Sequence, residues 1–313
     1  MNTTVKKTVG GALLVATWSA CASAQPPAPV TSAPAAAAPS QPGLAPPPQG
    51  SGSGETFQPT VGQAGKDVVW VPTSPEVIER MLELAKVTPS DYVIDLGSGD
   101  GRNIIAAAKR GARGHGVEFN ADMVALSRRL AREAGVSDRA TFVEGDMYAA
   151  DISRATVLAL FLLPTNLEKL KDKFLALPPG TRIVLNTFTL DGWEPDVTSN
   201  VEPPCTSWCQ TLLLVVPAQV AGRWRGDDGT ELNLTQTYRA LAGTLATTNS
   251  RGAAAGAPGA TGLTAIAGKV SAADVTIEAN GTTYTGRVSG TRITGTATTA
   301  NGTRPWSATK VTN

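Results

Sequence analysis

Histidine is almost missing from this chain: His115 is the only one among 313 residues. Ser-His-Asp and Cys-His catalysis and histidine-rich metal sites are thereby excluded, unless that one ring serves alone. Cysteine is nearly as scarce. Of three, Cys21 falls in the N-terminal leader, and Cys205 and Cys209 cannot by themselves build a four-thiolate zinc centre, so no metal is expected. Nor is there a surplus of either charge, because 27 Lys and Arg face 26 Asp and Glu for a net charge of +1. A nucleic-acid binder draws its affinity from clustered Lys and Arg, so a nucleic-acid partner is not expected. Long apolar runs are absent too. The stretch Thr8 to Ala20 falls short of the roughly 20 residues that a spanning helix requires.

What is present divides the chain into four parts. Residues 1–24 read as an export signal: Lys6 and Lys7, the apolar stretch, then Ala22-Ser23-Ala24 before a cut. Lipidation at Cys21 is the competing fate, with bulky Trp18 placed unfavourably for it. Both fates imply an exported, periplasmic or envelope-associated protein. Residues 25–60 form a linker, free of charge as far as Gly54 and rich in Pro, Ala, Gly and Ser, a composition that cannot bury enough apolar surface to order itself. Residues 61–217 alternate apolar strands with amphipathic helices, the signature of a doubly wound α/β sheet. The reading gives strands at Tyr92–Leu96, His115–Phe119, Ala140–Glu144, Thr156–Leu163, Arg182–Phe188 and Thr211–Val216, with helices after Ser74-Pro75 and over 101–110, 121–134 and 166–177. Residues 218–313 change character. Threonine dominates, and hairpin pairs occur at Asp228-Gly229, Asn280-Gly281 and Asn301-Gly302. Glycines inside β-prone runs (Gly243, Gly268, Gly286, Gly295), with Trp224 and Trp306 near the two ends, predict a small all-β barrel-like domain. Nothing in that tail points to chemistry, so it reads as a solubilising or docking appendage.

The chemistry-bearing stretch is Asp95-Leu96-Gly97-Ser98-Gly99-Asp100-Gly101-Arg102, where a strand ends and a helix opens. Glycines at alternate positions let the backbone turn sharply and approach a ligand at the helix N-terminus. Arg102 stands where a dinucleotide fingerprint needs a small residue, which disfavours NAD. Asp95, two residues before the first glycine, would repel a pyrophosphate and can instead receive the ammonium of an amino acid. Glu118 ends the second strand, where such folds bind both hydroxyls of a ribose. Asp146, after the third strand, can accept from an adenine amino group, with Met147 packing on the ring. Three acids at the carboxyl ends of three successive strands outline one crevice.

At these residues the chain resembles the class I S-adenosylmethionine-dependent methyltransferases, over about Val69 to Pro217. The resemblance implies a Rossmann-like class I methyltransferase sheet and S-adenosyl-L-methionine as cofactor, held by Asp95, Gly97, Ser98, Gly99, Gly101, Glu118, Asp146 and Met147. Val71-Pro72-Thr73, the block Asp95 to Arg102, Leu162-Leu163-Pro164 and Trp193-Glu194-Pro195-Asp196 narrow it further. They are similar to the lysine methyltransferases that modify mitochondrial inner-membrane proteins and to their bacterial relatives. The export signal and β-rich tail depart from that pattern.

Leu162-Leu163-Pro164-Thr165-Asn166 replaces the Asn-Pro-Pro-aromatic turn of enzymes that methylate planar amides, so such acceptors are disfavoured. A lysine amine needs only to lose its proton, and burial lowers its pKa, so an apolar channel suffices without a dedicated base. Trp70, Leu162, Pro164, Phe188 and Trp193 are the candidates to line it, and no catalytic residue is assigned. A protein lysine is the expected acceptor, ahead of a small-molecule amine; a non-catalytic envelope scaffold on the same fold is the rival. Cys205 and Cys209, with three residues between them in an exported chain, are expected to form a disulfide that stiffens the Trp193–Thr211 loop. His115, at the amino end of its strand, reads as structural. The oligomeric state stays open.

Overall fold

The computed structural model describes residues 57–248 and 261–312. The expected signal over 1–24, with Cys21, and the linker as far as residue 56 lie outside the described residues. Among the described residues no helix is long and apolar enough to cross a membrane.

Seven strands form the first sheet: β1 (Tyr92–Leu96), β2 (Arg113–Glu118), β3 (Ala140–Glu144), β4 (Val157–Leu160), β5 (Arg182–Asn186), β6 (Val197–Asn200) and β7 (Gln210–Val215). Their order is β3-β2-β1-β4-β5-β7-β6. The first five are parallel, while β7 runs antiparallel to both β5 and β6. Strand residues alternate between the two faces, which is why the central strands read as unbroken apolar runs. Val93, Val157, Ala159 and Val184 join one core, against α1 (Pro75–Leu84), α2 (Arg102–Lys109) and α3 (Ala121–Glu133). Ile94, Leu96, Leu158, Leu160, Ile183 and Leu185 join the other, against Leu167, Leu170 and Phe174 of α4 (Pro164–Leu175). Each helix has a local reason to start where it does. Ser74-Pro75 and Leu163-Pro164 put proline in the first turn of α1 and α4, and the Asn120 side chain caps α3 by accepting from the backbone N–H groups of Asp122 and Met123.

Two expected strands end early. β4 stops at Leu160 rather than Leu163, and β5 at Asn186 rather than Phe188. Pairing between them reaches only Leu160↔Leu185. Beyond it Thr187 turns the chain through a left-handed φ of 62°, and Pro164 already belongs to a helix. The residues so released, Phe161 to Leu163 and Phe188, stand at the carboxyl edge of the sheet. β6, edge-paired and mostly exposed, is absent from the sequence reading because Val197-Thr198-Ser199-Asn200 carries no apolar alternation.

The second architecture is a closed, all-antiparallel barrel of β8 (Gly222–Gly226), β9 (Thr230–Thr237), β10 (Ala240–Thr248), β11 (Thr261–Ser271), β12 (Asp274–Ala279), β13 (Thr282–Ser289), β14 (Arg292–Thr299) and β15 (Gly302–Lys310). β15 pairs back onto β8, so no edge is left open. The interior is filled by side chains, with Trp224 and Trp306 each 1% exposed. Two of the strand glycines show why nothing larger fits: a Cβ at Gly295 would lie 1.9 Å from the Thr285 carbonyl oxygen, and one at Gly243 2.0 Å from that of Asn233.

The sheet and the barrel share a contact. Tyr238, in the β9–β10 turn, stacks on Trp193 with ring centroids 4.8 Å apart, and its hydroxyl donates to the Asp191 carbonyl. Arg239 pairs with Asp196 at 2.9 Å. Trp193 is 1% exposed and belongs to the core shared with α4. Trp193→Ala should lower stability by about 3–5 kcal/mol, as expected for a buried aromatic replaced by alanine. In a double-mutant cycle read by urea denaturation, Trp193→Ala and Tyr238→Ala should couple by about 0.5–1.5 kcal/mol. Additive effects would show that the stack holds nothing together.

Candidate active site

The loop from β1 into α2 is fixed from two sides. The N–H groups of Gly97 and Ser98 donate to the Val117 carbonyl at 2.8 and 3.0 Å, which ties the loop to β2. The N–H of Gly99 donates to Glu118 Oε2 at 2.9 Å. Gly99 and Gly101 have φ of 55° and 80°, where side chains are strained. Space forbids them as well, since a Cβ at Gly99 would sit 2.6 Å from the Trp70 indole nitrogen and one at Gly101 2.6 Å from the Phe142 ring. Asp100 is gripped by the Arg102 guanidinium (Nε to Oδ1 2.9 Å), which also donates to the Thr73 carbonyl at 2.7 Å. That fork joins the glycine loop to the segment leading into α1.

Asp95 is 3% exposed and accepts from Asn103 Nδ2 at 3.1 Å, with no cation paired to it among the described residues. Burial, reinforced by the charges of Glu118 and Asp100, raises its pKa well above the usual carboxylate value. Beside it, Ser98 Oγ and Asn103 Oδ1 are buried without a hydrogen-bond partner among the described residues. These groups meet Trp70 and Gly99 in a small crevice of about 40 Å³. A ligand ammonium there would satisfy a buried carboxylate that otherwise favours its neutral form.

The adjoining cavity is larger, about 230 Å³. One end is polar. Glu118 Oε1 accepts from the Asn120 N–H at 2.9 Å, and with Oε2 on Gly99 each carboxylate oxygen keeps a lone pair for a further donor. Asp146 Oδ1 accepts from the Tyr148 N–H at 2.8 Å, and its other oxygen is paired with Lys66 Nζ at 2.7 Å. That pairing is the first cause of a lowered Asp146 pKa. Lys66 also stands 4.9 Å over the Phe119 ring, within a strap from Gln63 to Val71 that lines the cavity. The other end is apolar: Phe161, Leu162, Leu163, Phe188 and Trp208. Trp208 lies between Cys205 and Cys209, which are joined in a disulfide. It has φ 58°, and Thr187 before Phe188 has φ 62°, left-handed conformations that cost such residues on the order of 1–3 kcal/mol each.

Of the residues expected from sequence, Trp70, Gly97, Glu118, Asp146, Met147, Leu162 and Phe188 line this cavity, and Asp95, Ser98 and Gly99 line the crevice beside it. Three do not reach either space. Gly101 lies behind the loop as the cap of α2, packed on Phe142. Pro164 begins α4, where its ring serves the helix start. Trp193 faces the barrel and core, because the chain turns through Gly192 and carries the indole onto Tyr238. His115 is half-buried as the third residue of β2 rather than its first, with Nδ1 3.0 Å from Thr141 Oγ1, and it lines neither space. Sequence reasoning missed Phe161, Trp208, Lys66, Asn103 and the Arg102 fork. Trp208 carried a signal, a tryptophan bracketed by a cysteine pair; Lys66 carried none. Among the described residues no group of three His, Cys, Asp or Glu side chains is placed to hold a metal.

Comparison with known proteins agrees with this geometry. The family described as the ANTKMT methyltransferase domain matches residues 95–197, which leaves the barrel outside the match. Over 138 residues the chain is 44% identical to a protein-lysine N-methyltransferase of Saccharolobus islandicus, covering 43% of this chain and 86% of that protein. It is 37% identical over 130 residues to the adenine nucleotide translocase lysine N-methyltransferase of Mus musculus, covering 41% of this chain and 56% of that protein, so it spans about half the length of the mouse relative. A crystal structure of an RNA methyltransferase from Salinibacter ruber in complex with S-adenosyl-L-homocysteine is 43% identical, at 48% of this chain and 96% of that one, with a TM-score of 0.45. The Saccharolobus islandicus relative, 44% identical over 86% of its length, decides the matter: the chain belongs to the class I S-adenosylmethionine-dependent methyltransferases, an enzyme with S-adenosylmethionine as its cofactor.

Proposed function

We propose that the enzyme methylates the side-chain amine of a protein lysine. The observation that carries this reading is the division of the cavity: acids at the ends of β2 and β3, and at the ends of β4 and β5 a wall of Phe161, Leu162, Leu163, Phe188 and Trp208 without an ionisable group. Such a wall suits an alkyl chain that must be stripped of water before its amine can react. The lysine acceptors named for the relatives from Saccharolobus islandicus and Mus musculus support it. The exported location expected from residues 1–24 would give it acceptors in the cell envelope.

In this proposal the chain's own groups bind and align. Asp95 takes the ammonium of the cofactor, Glu118 accepts from both ribose hydroxyls, and Gly97 and Gly99 allow the backbone close approach. Asp146 accepts from the adenine amino group once Lys66 yields it, with Met147 beside the ring. The bound cofactor supplies an electrophilic sulfonium methyl. The apolar wall lowers the pKa of the incoming amine, which releases its proton toward solvent, so that alignment rather than a dedicated base carries the rate.

Asp95 makes cofactor binding depend on pH. Its folded pKa is raised, so between the unfolded value near 3.8 and that raised value the native apo protein holds an extra proton. Apo stability therefore falls as pH rises through that window, while affinity for the cofactor rises, because the ammonium needs the ionised form. Calorimetry in buffers of different ionisation enthalpy should show proton release on binding, absent in Asp95→Asn. Binding independent of pH with no proton released would remove Asp95 from the ammonium site.

Glu118→Ala should weaken cofactor binding at least about tenfold, because charged hydrogen bonds are worth about 1.5–3 kcal/mol each. The same substitution frees the Gly99 N–H, so folding is checked by circular dichroism. An unchanged dissociation constant would place the ribose elsewhere.

Incubation of the enzyme and methyl-labelled cofactor with envelope extract tests the acceptor. Label should appear as methyl-lysine in protein, and more readily at alkaline pH, where more amine is neutral. Label confined to small metabolites, or to RNA, would refute the lysine assignment.

A further inference from the structure

The apolar end of the cavity is more than greasy, because three of its walls are aromatic rings brought together from three separate segments. Phe161 follows β4, Phe188 follows β5, and Trp208 sits in the loop closed by the Cys205–Cys209 disulfide. The phenyl rings are stacked at 6.1 Å with 15° between planes, and the indole lies across them at 6.0 Å from Phe161 and 5.4 Å from Phe188, tilted by 57° and 51°. All three line the cavity that Glu118 and Asp146 line at its other end. Two are delivered by left-handed backbone at Thr187 and Trp208, conformations that persist only where the surroundings enforce them. Trp208 remains 44% exposed, so its placement is not explained by core burial.

We infer that Phe161, Phe188 and Trp208 form a cation-π receptor for the methylated alkylammonium head that each transfer leaves on the acceptor, and that the Cys205–Cys209 disulfide is the device that holds its third wall in place. This rests on the lysine reading above and deepens it by naming what the pocket distinguishes: positive charge, and the number of methyl groups that carry it. A cation within about 6 Å of a ring centroid is attracted by the ring quadrupole, and the attraction grows when water is excluded. Centroids this close together put one cation within reach of more than one ring. A bare ammonium keeps three N–H donors that the rings cannot satisfy, whereas each added methyl removes a donor and spreads the charge over a surface that aromatic faces cover well. Affinity should therefore rise from lysine to trimethyl-lysine, so a partly methylated side chain is retained, loses its remaining proton to solvent and offers the freed lone pair to another methyl rather than departing.

The test uses the full chain saturated with S-adenosylhomocysteine and two probes titrated by calorimetry: Nα-acetyl-trimethyl-lysine amide, and its neutral isostere with carbon in place of the quaternary nitrogen. The cation should bind about tenfold or more tightly than the isostere. Trp208→Leu and Phe188→Leu, which keep apolar bulk, should erase that preference, and Cys205→Ser combined with Cys209→Ser should reduce it. S-adenosylhomocysteine affinity should stay within about twofold in each, which also reports that the sheet is folded. Equal binding of cation and isostere, no binding of either, or a preference that survives both Leu variants would overturn the receptor. The lysine reading is scored separately by label in the envelope extract. Methyl-lysine formed by an enzyme with no charge preference sinks only the receptor, and a charge preference without methyl-lysine sinks only the protein acceptor.

Discussion

Glu118 occupies the position on which the site's geometry depends. Its carboxylate touches both the glycine loop, through the Gly99 N–H, and the start of α3, through the Asn120 N–H. Backbone N–H groups at helix starts and tight turns must find acceptors, and an ionised carboxylate meets that need for two of them at once. The loop is consequently ordered by the same side chain that is proposed to bind the ribose. A single carboxylate with four lone-pair sites can do both, because two are spent on the backbone and two face the cavity.

The concentration of acids creates an electrostatic problem that the chain solves unevenly. Asp100 is neutralised by the Arg102 fork and Asp146 by Lys66, whereas Asp95 has only a neutral amide beside it. A buried carboxylate in that condition either takes up a proton or waits for a cation. The asymmetry gives each acid a different character: Asp100 is fixed by the Arg102 fork, Asp146 is paired with a partly exposed lysine of the strap, and Asp95 is the acid that the proposed function gives to the cofactor's ammonium. Lys66 is 37% exposed at its side chain, so solvent screens its pair with Asp146, and exchange for a ligand donor costs little.

The elements of the sheet were legible because burial on two faces forces apolar runs, and a parallel order needs helices between strands. The barrel was legible from hairpin pairs and from strand glycines, which the structure places where neighbouring carbonyls leave no room for a Cβ. The glycine loop and the acids after β1, β2 and β3 were legible for a similar reason, since backbone conformation restricts residue type there. The aromatic wall was not. Phe161 hides between Leu160 and Leu162, where only the exact end of β4 decides whether a ring belongs to the core or the cavity. Trp193 misled in the opposite direction. An aromatic residue in a loop near the acceptor edge looks like a site residue until the barrel, whose docking no local pattern reveals, is seen to cover it.

That docking gives the barrel a part in shaping the site without contributing a residue to the cavity. The segment after β5 runs from the left-handed Thr187 through Phe188 to Leu190 and Trp193, which are only 2% and 1% exposed. Trp193 N–H closes the turn onto the Leu190 carbonyl, and its indole is clamped by Tyr238. Phe188 is thus suspended between the end of β5 and an anchor that the barrel completes. A cavity wall held at both ends retains its shape when a ligand enters, whereas one held at a single end must be ordered on binding at an entropic cost. The barrel lies beyond the matched region of the family, yet its Tyr238 and Arg239 fasten to residues 191–196 within that region. The barrel and the segment after β5 therefore form one mechanical unit, in which the barrel braces the aromatic wall that Phe188 contributes to the cavity.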